Sequence, residues 1–169
     1  MNLNLEIAKI IIDELIKSNC ELFCISPGFR SAPLVTAIAM HPKARTVICH
    51  DERSLCFFAL GYAKATRSAA VVVVTSGTAV ANLFPAIVES CMDKTPLILL
   101  TADRPAEYRG SEANQTIDQV KIFGSYVRFF LDVFSKERLE EQINNAIKYS
   151  LEPIPGPVQV NCQFREPVL

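Results

Sequence analysis

The feature that most restricts the fold is a set of short apolar segments without polar alternation. The clearest lies at residues 69–74, contains four consecutive valines and is followed at once by the polar turn at residues 75–78. A strand that is apolar on both faces must be covered on both faces, which is typical of parallel sheets flanked by helices. The segment therefore favours an α/β protein over an all-β protein with one solvated face.

Similar segments recur along the chain and alternate with helical patterns. We predict strands at residues 22–25, 46–49, 69–74, 97–100, 127–131 and 158–162. Apolar residues at helical spacing predict helices at residues 5–16, 31–40, 51–62, 80–88 and 136–150, and residues 104–125 read as a polar loop with at most a short helix. This alternation predicts a three-layer αβα protein with a roughly six-stranded, mainly parallel sheet.

Length, charge and cysteine spacing limit the class of protein. The 169 residues fit one domain, to which we assign residues 1–169, and a net charge of -1 without a basic run disfavours a nucleic-acid partner. The apolar stretches are shorter than the ~20 residues of a membrane span, and the N-terminus lacks the pattern of a signal peptide. Six cysteines without a C-x-x-C pair indicate reduced thiols in a cytoplasmic protein and no metal site.

Polar residues are concentrated where the predicted strands end. In a parallel α/β sheet, the ligand lies beyond the carboxyl ends of the strands. Residues 26–31, 50–53, 75–78 and 101–104 occupy those positions and hold most of the unusual polar side chains. We therefore expect the functional site to be formed by these four segments.

Glu52 is the first candidate for a catalytic residue. It follows the strand at 46–49, which we expect to be buried, and opens a helix that Asp51 can cap. One interpretation is a carboxylate that only complements the helix dipole. The other is a buried carboxylate that exchanges a proton with a ring nitrogen of a ligand. A metal site of Glu52 with Asp51 and His50 is disfavoured, because adjacent residues of a helix do not converge.

The arginines and amides of the same edge suggest an anionic ligand. Arg30 and Arg104 each follow a strand, and Asn114 and Gln115 lie in the next loop. Arginine suits bidentate binding of a carboxylate, so two arginines with two amides suit a ligand with more than one carboxylate. Surface ion pairs, including one between Arg104 and its neighbour Asp103, are the structural alternative.

The turn at residues 75–78 does not match a known phosphate-binding loop. It has one glycine and no lysine, so it fails both the P-loop pattern and G-x-G-x-x-G. Its hydroxyl groups and amides can meet a polar ring at a helix start, or simply cap the helix. The chain also lacks a G-x-S-x-G elbow, which disfavours a hydrolase.

Five segments together resemble one enzyme family closely. They read SPGFRSAPL at 26–34, HDERSLCFFALGYAKAT at 50–66, VVVTSGTAVANLFPAIVES at 72–90, LILLTADRP at 97–105 and ANQTIDQ at 113–119. The family is the thiamine-diphosphate-dependent 2-succinyl-5-enolpyruvyl-6-hydroxy-3-cyclohexene-1-carboxylate synthases of menaquinone biosynthesis. The resemblance covers essentially the whole chain but only the N-terminal, pyrimidine-binding (PYR) domain of those enzymes.

The resemblance implies a transferase activity. Family enzymes decarboxylate 2-oxoglutarate on the cofactor and add the resulting succinyl carbanion equivalent to isochorismate. The glutamate matching Glu52 hydrogen-bonds the aminopyrimidine ring and promotes the tautomer that activates the thiazolium, and Thr78 is expected near the pyrimidine. Residues matching Arg30, Arg104, Asn114 and Gln115 are expected to bind the substrate carboxylates or the succinyl group.

The chain departs from the family in two ways. Phe29 stands where the family usually has serine, which removes a hydroxyl group at the substrate corner. The chain also lacks a GDG motif, so the resemblance places Mg²⁺ and the diphosphate on a C-terminal domain absent from the 169 residues, with 163–169 as the start of a linker. In the family the site forms between subunits of a homodimer, and we expect this chain to be inactive alone.

Two alternatives to that family stay open at this level. One is the pyrimidine-binding subunit of a split thiamine-diphosphate decarboxylase. The other is a non-catalytic assembly module, which the presence of Glu52, Arg104, Asn114 and Gln115 disfavours.

Overall fold

A single six-stranded sheet forms the centre of the molecule in the computed structural model, which describes residues 2–169. The strands are β1 (Leu22–Ile25), β2 (Arg45–Ile48), β3 (Ala70–Val74), β4 (Leu97–Asp103), β5 (Phe129–Val133) and β6 (Pro157–Gln163). Their order is β2-β1-β3-β4-β6-β5, and every neighbouring pair is parallel. All strands therefore end at the same edge of the sheet.

Helices cover both faces of this sheet. They are α1 (Leu3–Lys17), α2 (Ala32–Met40), α3 (Glu52–Thr66), α4 (Thr78–Ala81), α5 (Phe84–Met92) and α6 (Leu139–Leu151). Val71 and Val73 join the apolar cluster under α1, α2 and α6, whereas Val72 and Val74 join the cluster under α3, α4 and α5. The run of valines thus contributes to two cores at once, and the predicted three-layer αβα fold is confirmed.

Most predicted elements are present, with one helix divided. The structure has the six predicted strands, but β4 extends to Asp103 and β5 begins at Phe129. The helix predicted at residues 80–88 is two helices, because Pro85 lies in the first turn of α5. Proline has no N–H and collides with the carbonyl four residues earlier, so a helix can begin at Pro85 but cannot run through it.

The prediction that residues 46–49 form a buried strand was wrong. β2 pairs only with β1 and therefore forms one edge of the sheet. Its residues are largely exposed, and 65% of the Ile48 surface is accessible. An apolar run of four residues does not by itself distinguish a central strand from an edge strand.

The segment after β6 is ordered against α1 although it has no regular secondary structure. Phe164 and Val168 are buried, and the side-chain amide of Asn4 donates hydrogen bonds to the carbonyl groups of Arg165 at 2.7 Å and Pro167 at 3.1 Å. The linker-like segment predicted at residues 163–169 therefore packs as part of the domain.

The cysteine side chains are free thiols, and four of them are buried. Burial raises the pKa of the Cys24 thiol to about 11, so that it stays protonated at neutral pH. Within residues 2–169, no helix combines the length and the apolar character that crossing a membrane would require.

The turn after β1 presses against the end of β3. The Ser26 amide donates a hydrogen bond of 3.0 Å to the Val73 carbonyl group, and a Cβ atom added to Gly28 would lie 2.4 Å from Thr75 Cβ. Only glycine fits at position 28 without displacing Thr75. This contact lies where the strand order changes direction, between β1 and β3, which is the usual ligand crevice of such sheets.

We predict that two identical substitutions in parallel strands will differ strongly. Ile98→Ala removes a fully buried side chain from β4 and is expected to lower the free energy of unfolding by about 2–5 kcal/mol. Ile48→Ala in the exposed edge strand is expected to change it by less than about 0.5 kcal/mol. Urea denaturation of the two variants measures both values, and equal losses would contradict the strand order.

A second pair of variants tests the contact at the crevice. Gly28→Ala is expected to lower the free energy of unfolding by about 1–3 kcal/mol, because the added methyl group meets Thr75. Gly61→Ala, where a Cβ atom meets nothing within 4 Å in the middle of α3, is expected to raise it by about 0.5–1 kcal/mol. Chemical denaturation of both variants measures whether each change raises or lowers the free energy of unfolding. An unchanged free energy for Gly28→Ala would show that the turn is loosely packed.

Candidate active site

Glu52 lies at the start of α3, next to the crevice between β1 and β3. The Asp51 side chain caps the helix by accepting a hydrogen bond of 2.6 Å from the Ser54 amide, which fixes the first turn. The Glu52 side chain is half-buried at the sheet edge rather than fully buried as predicted, because β2 in front of it is an edge strand.

Both hydrogen-bond donors to the Glu52 carboxylate are neutral. Asn82 Nδ2 donates to Oε2 at 3.0 Å, and the Ser26 hydroxyl group donates to Oε1 over a longer 3.4 Å. Neutral donors orient the carboxylate without cancelling its charge. The group therefore remains able to accept a hydrogen bond, or a proton, from a polar ring.

Thr75 and Thr78 have hydroxyl groups at the crevice between β1 and β3, beside Glu52. Thr75 Oγ1 is buried next to Gly28 and makes no hydrogen bond with residues 2–169. Thr78 is exposed at the first position of α4. A buried hydroxyl group without a partner is costly, and a polar ligand at the crevice can satisfy it.

The turn between β3 and α4 is clamped by the loop that precedes β5. The Ser76 hydroxyl donates to the Gln115 carbonyl at 3.0 Å, and Gln115 Nε2 donates to the Ser76 carbonyl at 3.2 Å. Gly77, with a φ of 83°, donates its amide to Gln119 Oε1 at 2.9 Å. The structure thus places the Gln115 amide against the turn, not against the arginines with which it was grouped.

Gln119 connects this turn to the ends of β4 and β6. Its Nε2 donates to the Ala102 carbonyl at 3.1 Å and to Asn161 Oδ1 at 2.9 Å, and its side chain is fully buried. Asn161 Nδ2 in turn donates to Asp103 Oδ2 at 2.9 Å. These buried amides fix the relative positions of three strand ends.

Asp103 supports the loop after β4 but does not pair with the Arg104 guanidinium. Its Oδ1 accepts a hydrogen bond from the Arg104 backbone amide at 2.8 Å, and its Oδ2 lies 3.7 Å from Arg109 Nη2. Burial raises the pKa of this carboxyl group, although hydrogen bonds from Asn161 and the Arg104 amide act in the opposite direction.

Arg30 and Arg104 converge on one carboxylate, that of Glu166. Arg30 Nη2 lies 2.6 Å from Glu166 Oε1, and Arg104 Nη1 lies 3.6 Å from the same atom. Arg30 Nη1 also donates to the Phe164 carbonyl at 3.0 Å, and only 5% of the Arg30 side chain is exposed. The guanidinium of Arg30 is therefore almost completely buried, with the segment after β6 packed against it.

Arg104 also holds the loop that carries the predicted amides. Its Nη2 donates to the Asn114 carbonyl at 2.9 Å, and its Nε donates to Thr116 Oγ1 at 2.9 Å. Asn114 thus meets Arg104 through its backbone, and its side chain is exposed. Phe29 is exposed, with its ring centroid 5.8 Å from Arg30 Cζ.

The predicted residues therefore form two groups at one edge of the sheet. Glu52 and Thr78 lie at the crevice between β1 and β3, whereas Arg30, Arg104 and the Asn114 backbone form an arginine group at the ends of β4 and β6. Gln115 lies on the turn between them.

Sequence reasoning missed four residues that shape these groups. Asn82 carried a signal, since it lies four residues after Thr78 and one helical turn brings the two together. Ser26 and Gln119 lie in segments that carry the family resemblance, but neither was given a role. Glu166 gave no local signal, because a glutamate near a chain end resembles an ordinary surface residue.

Comparison with known proteins agrees with this geometry. The model of the thiamine pyrophosphate enzyme N-terminal TPP binding domain matches residues 5–122. A solved 4-hydroxybenzoylformate decarboxylase from Rhodococcus jostii RHA1, described as thiamine diphosphate-dependent, superposes with a TM-score of 0.84 at 22% identity, over 93% of this chain and 30% of that one. At that identity the superposition supports the fold.

Curated relatives confirm the resemblance recognised in the sequence. The 2-succinyl-5-enolpyruvyl-6-hydroxy-3-cyclohexene-1-carboxylate synthases of Pelodictyon phaeoclathratiforme and Rubrobacter xylanophilus are 53% and 47% identical to this chain over 167 residues. These matches cover 95% of this chain and 28% and 29% of the two relatives. The chloroplastic protein PHYLLO of Arabidopsis thaliana is 44% identical over 99% of the chain and 10% of its own length.

The chain thus spans less than a third of the length of these relatives. The family match covers well over half of the chain and includes the crevice, Glu52, Thr78, Arg30 and Arg104. The chain belongs to the thiamine pyrophosphate enzymes and carries their N-terminal TPP binding domain.

Proposed function

We propose that this chain is the pyrimidine-binding part of a synthase that uses thiamine diphosphate to decarboxylate 2-oxoglutarate and to add the succinyl unit to isochorismate. The observation that carries the proposal is Glu52, a carboxylate at the crevice whose two hydrogen-bond donors are neutral. High identity to synthases of this name supports the choice of reaction.

Glu52 has the chemistry that an aminopyrimidine ring requires. A ring nitrogen that must gain or share a proton needs a carboxyl group that can hold one, whereas a neighbouring cation would favour the ionised form of that group. Asn82 holds one oxygen of Glu52 in place, and the Ser26 hydroxyl orients the other. A carboxyl oxygen can then face the ring and share a proton with its nitrogen.

The crevice fits the pyrimidine end of the cofactor. The unpartnered Thr75 hydroxyl and the exposed Thr78 hydroxyl offer polar contacts beside Glu52, and the Gly28 backbone approaches closely because it lacks a side chain. When bound, thiamine diphosphate supplies an electron sink for the decarboxylation. The chain's own residues position its ring and move a proton at Glu52.

The arginine group supplies charge for the carboxylates of the substrates. Arg104 is 20% exposed and lines a small cavity, while its Nε and Nη2 hold the loop at Asn114. Guanidinium groups bind carboxylates with paired, charge-assisted hydrogen bonds. Asn114, exposed beside Arg104, can add an amide donor.

We further propose that the site is completed by other parts of a cytoplasmic homodimer. Mg²⁺ and the diphosphate would be bound by a domain outside these residues, so the chain alone would be inactive. Apolar side chains exposed on the segments beside the crevice support such a contact; they are Phe29, Ile48, Phe57 and Phe58.

A chimera tests the role of Glu52. In it, this chain replaces the matching segment of the Pelodictyon phaeoclathratiforme synthase. Glu52→Gln in the chimera is expected to lower kcat with 2-oxoglutarate and isochorismate by about 100-fold or more, because the amide cannot take up a proton. Glu140→Gln is the matched control, since Glu140 is also a first-turn glutamate but follows β5 at the other edge of the sheet.

Steady-state assays measure the activity of both variants, and circular dichroism shows whether each variant keeps its fold. Loss of activity in Glu52→Gln with an unchanged spectrum and an active Glu140→Gln supports the assignment. Normal turnover by Glu52→Gln would remove the role given to this residue.

Arg104→Ala in the same chimera separates substrate binding from loop support. Loss of a charge-assisted hydrogen bond costs about 1.5–3 kcal/mol, so the KM for isochorismate is expected to rise about 10–150-fold. The apparent affinity for thiamine diphosphate is expected to stay within about twofold. Equal losses for both molecules would show that Arg104 acts only by holding the loop at Asn114.

A further inference from the structure

We propose that Glu166 is an internal carboxylate that occupies the Arg30–Arg104 pair and competes there with the carboxylate of a ligand. A small organic anion would then bind only when the Glu166 side chain turns away. The inference rests on the proposed function, because it concerns the regulation of the same arginine group.

The contacts of Glu166 are those that a ligand carboxylate would make. A single oxygen, Oε1, lies 2.6 Å from Arg30 Nη2 and 3.6 Å from Arg104 Nη1. The Arg30 guanidinium is enclosed, so a ligand must take the place of Glu166 to reach that nitrogen. Two carboxylates cannot share the position without strong repulsion.

The backbone around Glu166 is held independently of this ion pair. Phe164 and Val168 are buried on either side of it, and Asn4 binds the carbonyl groups of Arg165 and Pro167. The Glu166 side chain itself is 61% exposed. It can therefore rotate into solvent while the segment that carries it stays in place.

A cavity next to the pair has room for the end of a small anion. It encloses about 180 Å³ and is lined by Arg30, Arg104, Pro105, Tyr108, Arg165 and Glu166. This is the volume of about six water molecules, enough for a carboxylate with a few carbon atoms. When Glu166 turns away, the charged side chains left in the lining are all arginines.

The competitor is charged under physiological conditions. The hydrogen bond from Arg30 lowers the pKa of Glu166, so the carboxylate is ionised at neutral pH. A ligand that binds only the open arrangement has an apparent dissociation constant equal to the intrinsic one divided by the open fraction. If Glu166 is in place nine-tenths of the time, binding is weakened about tenfold.

Titration of the 169-residue chain with succinate tests the proposal directly. The arginine Nε–H signals in ¹H–¹⁵N NMR spectra at pH 7 and constant ionic strength report binding, and succinamide serves as the uncharged probe. Glu166→Gln, which removes the charge and keeps the size, is expected to lower the dissociation constant of succinate about tenfold. Succinamide is expected to bind no variant.

The matched control is Glu107→Gln. Glu107 forms an exposed ion pair with Arg165, which lines the same cavity, so its replacement changes the net charge equally without opening the arginine pair. We expect less than about a twofold effect. Glu166→Asp, whose shorter side chain retains the charge but reaches the pair poorly, is expected to tighten binding at least about threefold and carries the test if the glutamine variant is unstable.

The outcomes separate this inference from the proposed function. Unchanged or weaker binding by Glu166→Gln, equal tightening by Glu107→Gln, or no succinate binding by any variant overturns the inference. Tighter succinate binding with isochorismate bound no better than succinate supports the inference and contradicts the proposed substrate. If the chain binds isochorismate in preference to succinate and Glu166→Gln leaves that binding unchanged, the proposed substrate is supported and the inference about Glu166 is contradicted.

Discussion

The burial of the central strands on both faces is the constraint on which the rest of the molecule depends. β3 and β4 are completely enclosed between two helical layers, and successive side chains enter opposite cores. Neither face of these strands can therefore carry a polar group that must meet a ligand. Such groups are left to the edge where the strands end, and Glu52, Thr75, Arg104 and Glu166 all lie there.

An edge formed by separate turns needs its own support, and buried amides supply it. Gln119 and Asn161 link the turn after β3 to the ends of β4 and β6 through hydrogen bonds of 2.9 to 3.1 Å. Buried polar groups stabilise a structure only when their partners are present, so this network favours one arrangement of the turns. The rigidity of the crevice thus originates in residues that do not face it.

The sequence was sufficient to predict the three layers and to predict that the site lies where the strands end, because both follow from the hydrophobic pattern and the chain direction. The runs at β3 and β4 indicated strands covered on both faces, and parallel strands bring Arg30 and Arg104 to one side. Pairings across the sheet could not be predicted in the same way. Glu166 reaches Arg30 across 136 positions of sequence, and no local pattern encodes such a contact.

The strand order also separates the Glu52 carboxylate from Arg104. Glu52 follows β2 and Arg104 follows β4, so three strand spacings of about 4.8 Å place their strands about 14 Å apart. At that distance two opposite charges in water attract by only about 0.3 kcal/mol. Arg30 follows β1, next to β2, but its guanidinium is directed at Glu166 and the Phe164 carbonyl group. Within residues 2–169, neither Arg30 nor Arg104 forms an ion pair with Glu52. Such a pair would have fixed both groups in place of any ligand.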